Sequence, residues 1–164
     1  LEDLLQGLAP LDDIATDPGS LALLLLLTEY LQPRVILEVG TYRAHFAVPA
    51  ARLCPKSRVH TFDPIDHGWD KTLERRVLYH QRAFNMIPEP FQFAFVDSGP
   101  PFTADCEENE LRWRHWQMAC ENVMPTGIVA CHDTKADDWP HVKDIRAMGI
   151  SLWGERGLTL WQRK

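Results

Sequence analysis

Arg34-Val-Ile-Leu-Glu-Val-Gly40, followed by Thr41-Tyr-Arg-Ala-His-Phe46, decides how this chain is read. A short run rich in β-branched residues that stops at a glycine is the pattern of a buried strand entering a tight turn. Val35–Val39 is therefore expected to be a central strand. Gly40 is where the backbone turns and can admit a ligand close to the main chain.

Working outward, Ser20 is positioned to cap a helix over Leu21–Leu31. This helix is apolar around nearly its whole circumference, so it is expected to be buried, and it stops before Pro33. Ala44–Leu53 reads as a helix that must hold Pro49 near its first turn. Arg58–Asp63 reads as a second strand, Arg76–His80 as a third, Phe91–Val96 as a fourth and Gly127–Cys131 as a fifth. Glu107–Val123 has apolar residues at mostly helical intervals, with Trp113 and Trp116 expected to face the core. Ile150–Trp153 and Leu158–Trp161 flank Gly154–Gly157 as a hairpin. Alternating strands and helices imply a Rossmann-like, doubly wound α/β fold: a mostly parallel sheet with an antiparallel C-terminal hairpin strand. One domain spans 1–164, with an N-terminal helical segment over 1–33 and the Rossmann-like core over 34–164. Asp97–Glu110 is expected to be a long loop.

Composition narrows the function. The 164 residues are 45% hydrophobic and 24% charged, ordinary for a globular domain. Seventeen basic against 23 acidic residues leave a charge of −6, which disfavours a nucleic acid or an anionic membrane as partner. The local pair Arg112 and Arg114 follows an acidic stretch. Cys54, Cys106, Cys120 and Cys131 lack the close spacings of zinc or disulfide scaffolds, as expected of a cytoplasmic protein. The longest apolar run, Leu21–Leu27, is too short to span a bilayer.

In open α/β sheets ligands bind beyond the carboxyl ends of the strands. Those ends here carry Glu38 and Gly40, then Asp63, then Asp97, then His132 and Asp133. Thr41 adds a hydroxyl. Asp63 closes the second strand at about the spacing at which an acid accepts hydrogen bonds from ribose hydroxyls. With one glycine and bulky neighbours, the bend lacks the G-x-G-x-x-G pattern that brings a pyrophosphate to the backbone, and a cofactor without pyrophosphate suits it better.

Val35-Ile-Leu-Glu-Val-Gly-Thr-Tyr42 resembles the first motif of class I methyltransferases. With Phe95-Val-Asp-Ser-Gly99 and Gly127-Ile-Val-Ala-Cys-His-Asp133, in that order, the chain resembles the small O-methyltransferase-like family that includes cephalosporin-hydroxylase-type proteins. The resemblance runs from about Ser20 to Gln162. It implies S-adenosylmethionine as cofactor, O-methylation of a small molecule or sugar, and a seven-stranded sheet. It also implies Glu38, Gly40, Thr41, Tyr42 and Asp97 around the cofactor, Asp63 on its ribose, and Gln81–Asn85 near its adenine.

Asp97 and Asp133 resemble magnesium-holding aspartates of catechol-type relatives. With His132 beside them, the site suits Mg²⁺, another, softer divalent metal such as Mn²⁺ or Fe²⁺, or no metal, in which case Asp133 caps the next segment and His132 hydrogen-bonds in the cleft. His132, with Asp97, is the expected proton-taking catalytic group, whereas His115 is expected on the solvent side of its helix. His45, His60, His67, His80 and His141 read as structural or solvated, and Trp69 with the Asp66–Asp70 loop as possible shapers of an acceptor pocket. The chain departs from the family at Ala44, where a second glycine is usual, at His45-Phe46, and at Asp97-Ser-Gly-Pro-Pro-Phe102, which has no histidine. Those departures leave a catalytically inactive binding or scaffold domain as one alternative and an NAD-dependent oxidoreductase as another. A homodimer is expected by analogy with chains of this size.

Overall fold

The computed structural model describes residues 2–12, 15–86, 89–98, 106–135, 141–152 and 156–164, with side chains in 106–109 left aside. After a 3₁₀ turn at Asp3–Leu5 come α1 (Pro18–Leu31), β1 (Val35–Val39), α2 (Ala47–Leu53), β2 (Arg58–Phe62), β3 (Val77–His80) and β4 (Phe91–Val96). These are followed by α3 (Cys106–Asn122), β5 (Val123–His132), α4 (Val142–Met148), β6 (Ile150–Leu152) and β7 (Leu158–Gln162). The strands form one sheet in the order β3-β2-β1-β4-β5-β7-β6. The first five run parallel, and β7 pairs antiparallel with both β5 and β6. This is the expected Rossmann-like architecture.

The pleat of β1 explains why apolar residues occupy successive positions over Val35–Leu37. Ile36 joins Leu21, Leu24, Phe46, Phe93 and Phe95 on the face covered by α1 and α2. Val35, Leu37 and Val39 join Phe62, Trp116, Ala119 and Val123 on the α3 face. Both faces are buried, so alternation is absent, as in parallel sheets generally. The order reverses at β1, which lies between β2 and β4; ligand crevices of open sheets form at such a switch point.

Several boundaries differ from the sequence reading. Asp17, not Ser20, caps α1: its Oδ1 accepts from the Ser20 N–H at 2.9 Å, and Pro18 occupies the first turn. Nor is α1 buried all round, because Leu26 is 62% exposed and Tyr30 86%. Leucine content overstated its buried face. The second helix starts at Ala47 rather than Ala44, since Tyr42 and Ala44 take positive φ (45° and 61°) and spend those residues on the bend. Pro49 falls in the first turn, where its missing N–H is tolerated. Strand β5 begins four residues early, through a register shift opposite β4 that accommodates Pro125.

Trp116 is fully buried, and half-buried Trp113 stacks on His141 at 4.9 Å. Half of the expected Asp97–Glu110 loop, residues 99–105, lies outside the described residues; Cys106 already belongs to α3. Among the described residues, no helix is long and apolar enough to cross a membrane.

Candidate active site

Three strand ends meet at the switch point. The Gly40 N–H continues the β2 ladder to the Phe62 carbonyl at 2.9 Å, and the Asp97 N–H continues that of β1 to the Val39 carbonyl at 2.8 Å. Gly40 has φ +97°, and a Cβ there would lie 2.3 Å from the Asp97 carbonyl oxygen. The glycine is therefore required first by the close approach of β4, and only through that contact by any ligand. Ala44 is held at φ +61° inside the core, a conformation that costs an L-residue about 1 kcal/mol.

Beyond this bend opens a cavity of about 510 Å³, within the span of roughly 300–1,000 Å³ usual for small-molecule sites. All six residues expected around the cofactor, Glu38, Gly40, Thr41, Tyr42, Asp63 and Asp97, line it. Asp63 points into the bend: its Oδ2 accepts the Tyr42 N–H at 3.0 Å and its Oδ1 the Ile65 N–H at 2.9 Å. Each oxygen keeps a second lone pair for a ligand hydroxyl. His45 and Phe46 do not fill the space. His45 Nε2 lies 2.8 Å from the Ala9 carbonyl, and Phe46 packs on Phe95 and Phe93 with centroids 5.1 and 6.0 Å away.

The Thr41 hydroxyl bonds Thr61 Oγ1 at 2.5 Å, and Thr61 in turn donates to Glu38. This chain fixes the Glu38 carboxyl. Burial pushes that group well above the usual carboxylate range, so it sits in the wall as a neutral acid able to donate. Of the segment expected near an adenine, Ala83 and Phe84 line the cavity, next to Phe62, Ile65 and Leu111. Trp69 instead packs edge-on against Tyr79 at 5.8 Å and is not among the lining residues.

At the other end stands a buried ionic cluster. Asp97, His132 and Asp133 each offer a ligand atom within 4.8 Å of the others. His132 is fully buried and does not line the cavity. Its Nε2 lies 2.9 Å from Asp17 Oδ2, and its Nδ1 lies 3.2 Å from Asp97 Oδ1 and 3.3 Å from Asp133 Oδ1. Burial lowers the affinity of the ring for a proton; Asp97, Asp17 and Asp133 outweigh that and raise it to about 9. The expectation that His132 takes the acceptor's proton is therefore corrected: both nitrogens are committed to carboxylates and the ring is shut off from the cavity. Asp97 does face the cavity. Burial acts to raise its carboxyl, but His132 and Arg112 hold it far below the ordinary value, so it is a firm anion.

His115 is a second correction. It is 4% exposed, lines the cavity, and its Nδ1 bonds Ser98 Oγ at 2.8 Å. Arg112 shares its buried face of α3: Nε donates to the Ser98 carbonyl at 2.7 Å and Nη1 to Asp133 Oδ2 at 3.2 Å. The missed signal was the helical stripe Arg112, His115, Trp116 and Ala119, in which two polar residues share the core spacing. Asp17, Thr16 and Arg156 carried no local signal. Thr16 donates to Asp97 Oδ2 at 2.9 Å; Arg156 donates to Asp133 Oδ2 at 2.7 Å and to the Ala15 carbonyl at 2.9 Å.

Burial, reinforced by the Arg112 charge, pushes His115 down to about 4. The unfolded chain protonates this histidine near pH 6.5, so it contributes stability above that pH that is lost as pH falls toward 4. In urea titrations, wild type is expected to lose about 2 kcal/mol more than His115→Leu between pH 7 and 4.5. Equal losses contradict the assignment.

No family model matches the chain, and no curated protein does either. Solved structures do. An O-methyltransferase from Bacillus cereus in complex with S-adenosylhomocysteine superposes with a TM-score of 0.66 at 20% identity, covering 99% of this chain and 90% of the other. TomG from Streptomyces achromogenes, an O-methyltransferase of tomaymycin synthesis in complex with S-adenosylmethionine, gives 0.64 at 21%, covering 94% and 84%. The N-methyltransferase NodS from Bradyrhizobium japonicum, in complex with S-adenosylhomocysteine, gives 0.65 at 15%, covering 99% and 97%. The fold is that of class I methyltransferases.

Proposed function

We propose that the chain is an S-adenosylmethionine-dependent methyltransferase acting on an oxygen of a small molecule. The observation that carries this is the placement of Asp63: a carboxylate locked by two backbone N–H groups, facing a single-glycine bend with open volume beside it. A ribose diol fits that carboxylate. The apolar end formed by Phe62, Ile65, Phe84 and Leu111 suits a flat base, and the anionic end at Asp97 suits a sulfonium centre.

When bound, the cofactor supplies an electrophilic methyl group. Asp63 then fixes the sugar, neutral Glu38 donates from the wall, and Asp97 accepts a hydrogen bond from the acceptor hydroxyl. With its carboxyl held so low, Asp97 orients that oxygen for in-line attack rather than storing its proton; the carbon–oxygen bond forms as the carbon–sulfur bond breaks, and the hydroxyl proton leaves to water.

A dinucleotide fits less well. Pro49 removes an N–H from the first turn of α2, and Ala47, Val48 and Ala50 are fully buried, so the start of α2 beside the bend is not free for a pyrophosphate. NodS and TomG share the fold while differing in acceptor atom, so the choice of oxygen rests on the family resemblance and on Asp97.

Charge-assisted bonds to the ribose contribute about 1.5–3 kcal/mol each. Asp63→Asn is accordingly expected to weaken S-adenosylhomocysteine binding about 10- to 100-fold in calorimetry, with the melting temperature of the free protein within a few degrees of wild type. Transfer of radiolabel from S-adenosylmethionine to a panel of hydroxylated acceptors tests catalysis. Cofactor binding without label transfer to any acceptor favours an inactive binding domain instead.

A further inference from the structure

The cavity wall carries a buried hydrogen-bonded pair that the methyl-transfer reading does not use, Ser98 and His115. Ser98 follows Asp97 in the chain, and the His115 ring packs edge-on against Phe84 with centroids 5.4 Å apart, so the pair joins the anionic end of the cavity to its apolar end. Ser98 is held twice by one turn of α3. Arg112 Nε donates to its carbonyl at 2.7 Å, and His115, three residues on, places Nδ1 2.8 Å from its Oγ. Backbone and hydroxyl are fixed together.

The imidazole decides which way the hydroxyl points. Burial and the Arg112 charge push the ring down to about 4, so near neutral pH only one of its nitrogens carries hydrogen. Nδ1 is occupied by Ser98, which leaves Nε2 for the Phe84 backbone. That backbone favours a proton on the ring, as a carbonyl does and an N–H does not. Nε2 completes no aligned hydrogen bond among the described residues, so no donor claims it as an acceptor. With hydrogen on Nε2, Nδ1 is the acceptor and the Ser98 hydroxyl donates to it. The opposite tautomer would set a bare lone pair of Nε2 beside a carbonyl. A hydroxyl has one hydrogen and two lone pairs. With the hydrogen committed to His115, Ser98 Oγ offers the cavity acceptance alone.

A free serine does not discriminate, because its hydroxyl turns to donate or to accept as the ligand demands. Locked by His115, it does. We propose that Ser98 Oγ accepts from the exocyclic amine of the adenine base, and that His115 is the positioning residue that keeps it an acceptor and so rejects a base with a carbonyl at that place. This rests on the reading that an adenosyl cofactor occupies the cavity. A purely structural role for His115 accounts for its packing on Phe84 but gives no preference between the two bases.

The test is calorimetric titration of S-adenosylhomocysteine and of S-inosylhomocysteine, in which a carbonyl replaces the amine, into wild type, His115→Leu and Ser98→Ala. A site built to hydrogen-bond a ligand N–H rejects an analogue lacking it, so wild type is expected to bind the inosyl compound more than about 10-fold more weakly. In His115→Leu the hydroxyl is free to turn and donate to the carbonyl, and the two affinities should come within about 3-fold of each other; Ser98→Ala should narrow the ratio likewise, and combining the two should change it no further. Long-range nitrogen–proton correlation spectra of the imidazoles read the tautomer on wild-type protein, whatever the stability of the variants, and hydrogen on Nε2 of His115 is expected. Hydrogen on Nδ1, a wild-type ratio below about 10-fold, or a ratio unchanged in His115→Leu overturns the proposal and leaves the methyl-transfer reading standing. Failure of wild type to bind S-adenosylhomocysteine at all overturns both.

Discussion

Gly40→Val is expected to destabilise the fold by more than about 3 kcal/mol and to abolish S-adenosylhomocysteine binding. Two penalties combine. A β-branched residue is held at φ +97°, where only glycine is comfortable, and its Cβ would have to share space with the Asp97 carbonyl, 2.3 Å away. Backbone is the obstacle, so no rotamer change relieves it. Moving the ends of β1 and β4 apart would break the Asp97 N–H bond to Val39 and displace Asp97 from the cavity wall. Urea unfolding measures the first effect and calorimetry the second. A variant with wild-type midpoint and affinity would mean that the bend is not built as described.

Arg112→Met carries the second large effect. The guanidinium, 3% exposed, holds the Ser98 carbonyl, the His132 carbonyl and Asp133 Oδ2 at 2.7, 3.3 and 3.2 Å. Removing one partner of a buried ion pair costs about 3–5 kcal/mol, because the remaining charge and carbonyls stay desolvated. Arg156 still neutralises Asp133, which places the loss toward the lower end of that range. Urea unfolding of the variant with Asp133→Asn added should show a total loss smaller than the sum of the two single losses, since the carboxylate then no longer needs the guanidinium. Strict additivity would show that Arg112 acts through packing alone.

How far the sequence could be read depended on whether the relevant forces were local. Strands β1 and β4 were legible to the residue, because four or five apolar residues in a short run closed by Gly40 or by Asp97 leave little choice. That Glu38, Gly40, Thr41, Tyr42 and Asp63 would line one cavity was also legible, since they belong to two adjacent strand ends and the bend after them. The acidic end was legible only in part. Asp97, His132 and Asp133 could be placed at strand ends, but their meaning depends on Asp17, 115 residues from His132 in sequence, and on Arg156. No periodicity reports a contact of that separation. His115 failed for the opposite reason: the stripe was visible, but a charged and a titratable residue on it read as a solvent face. Burial became possible only because Ser98 and Asp133 lie opposite with matching groups. Pattern alone likewise favoured Ser20 over Asp17 as the cap, because Pro18 hid the true start of the helix.

The central claim is that an adenosyl sulfonium cofactor seats between the Gly40 bend and Asp63. It is tested most directly by calorimetric titration of S-adenosylhomocysteine into wild-type protein, with NADH titrated in parallel. One site per chain for the homocysteine compound, weakened in Asp63→Asn, with no heat from NADH, is the predicted result. Saturable binding of NADH with no response to S-adenosylhomocysteine would contradict the account.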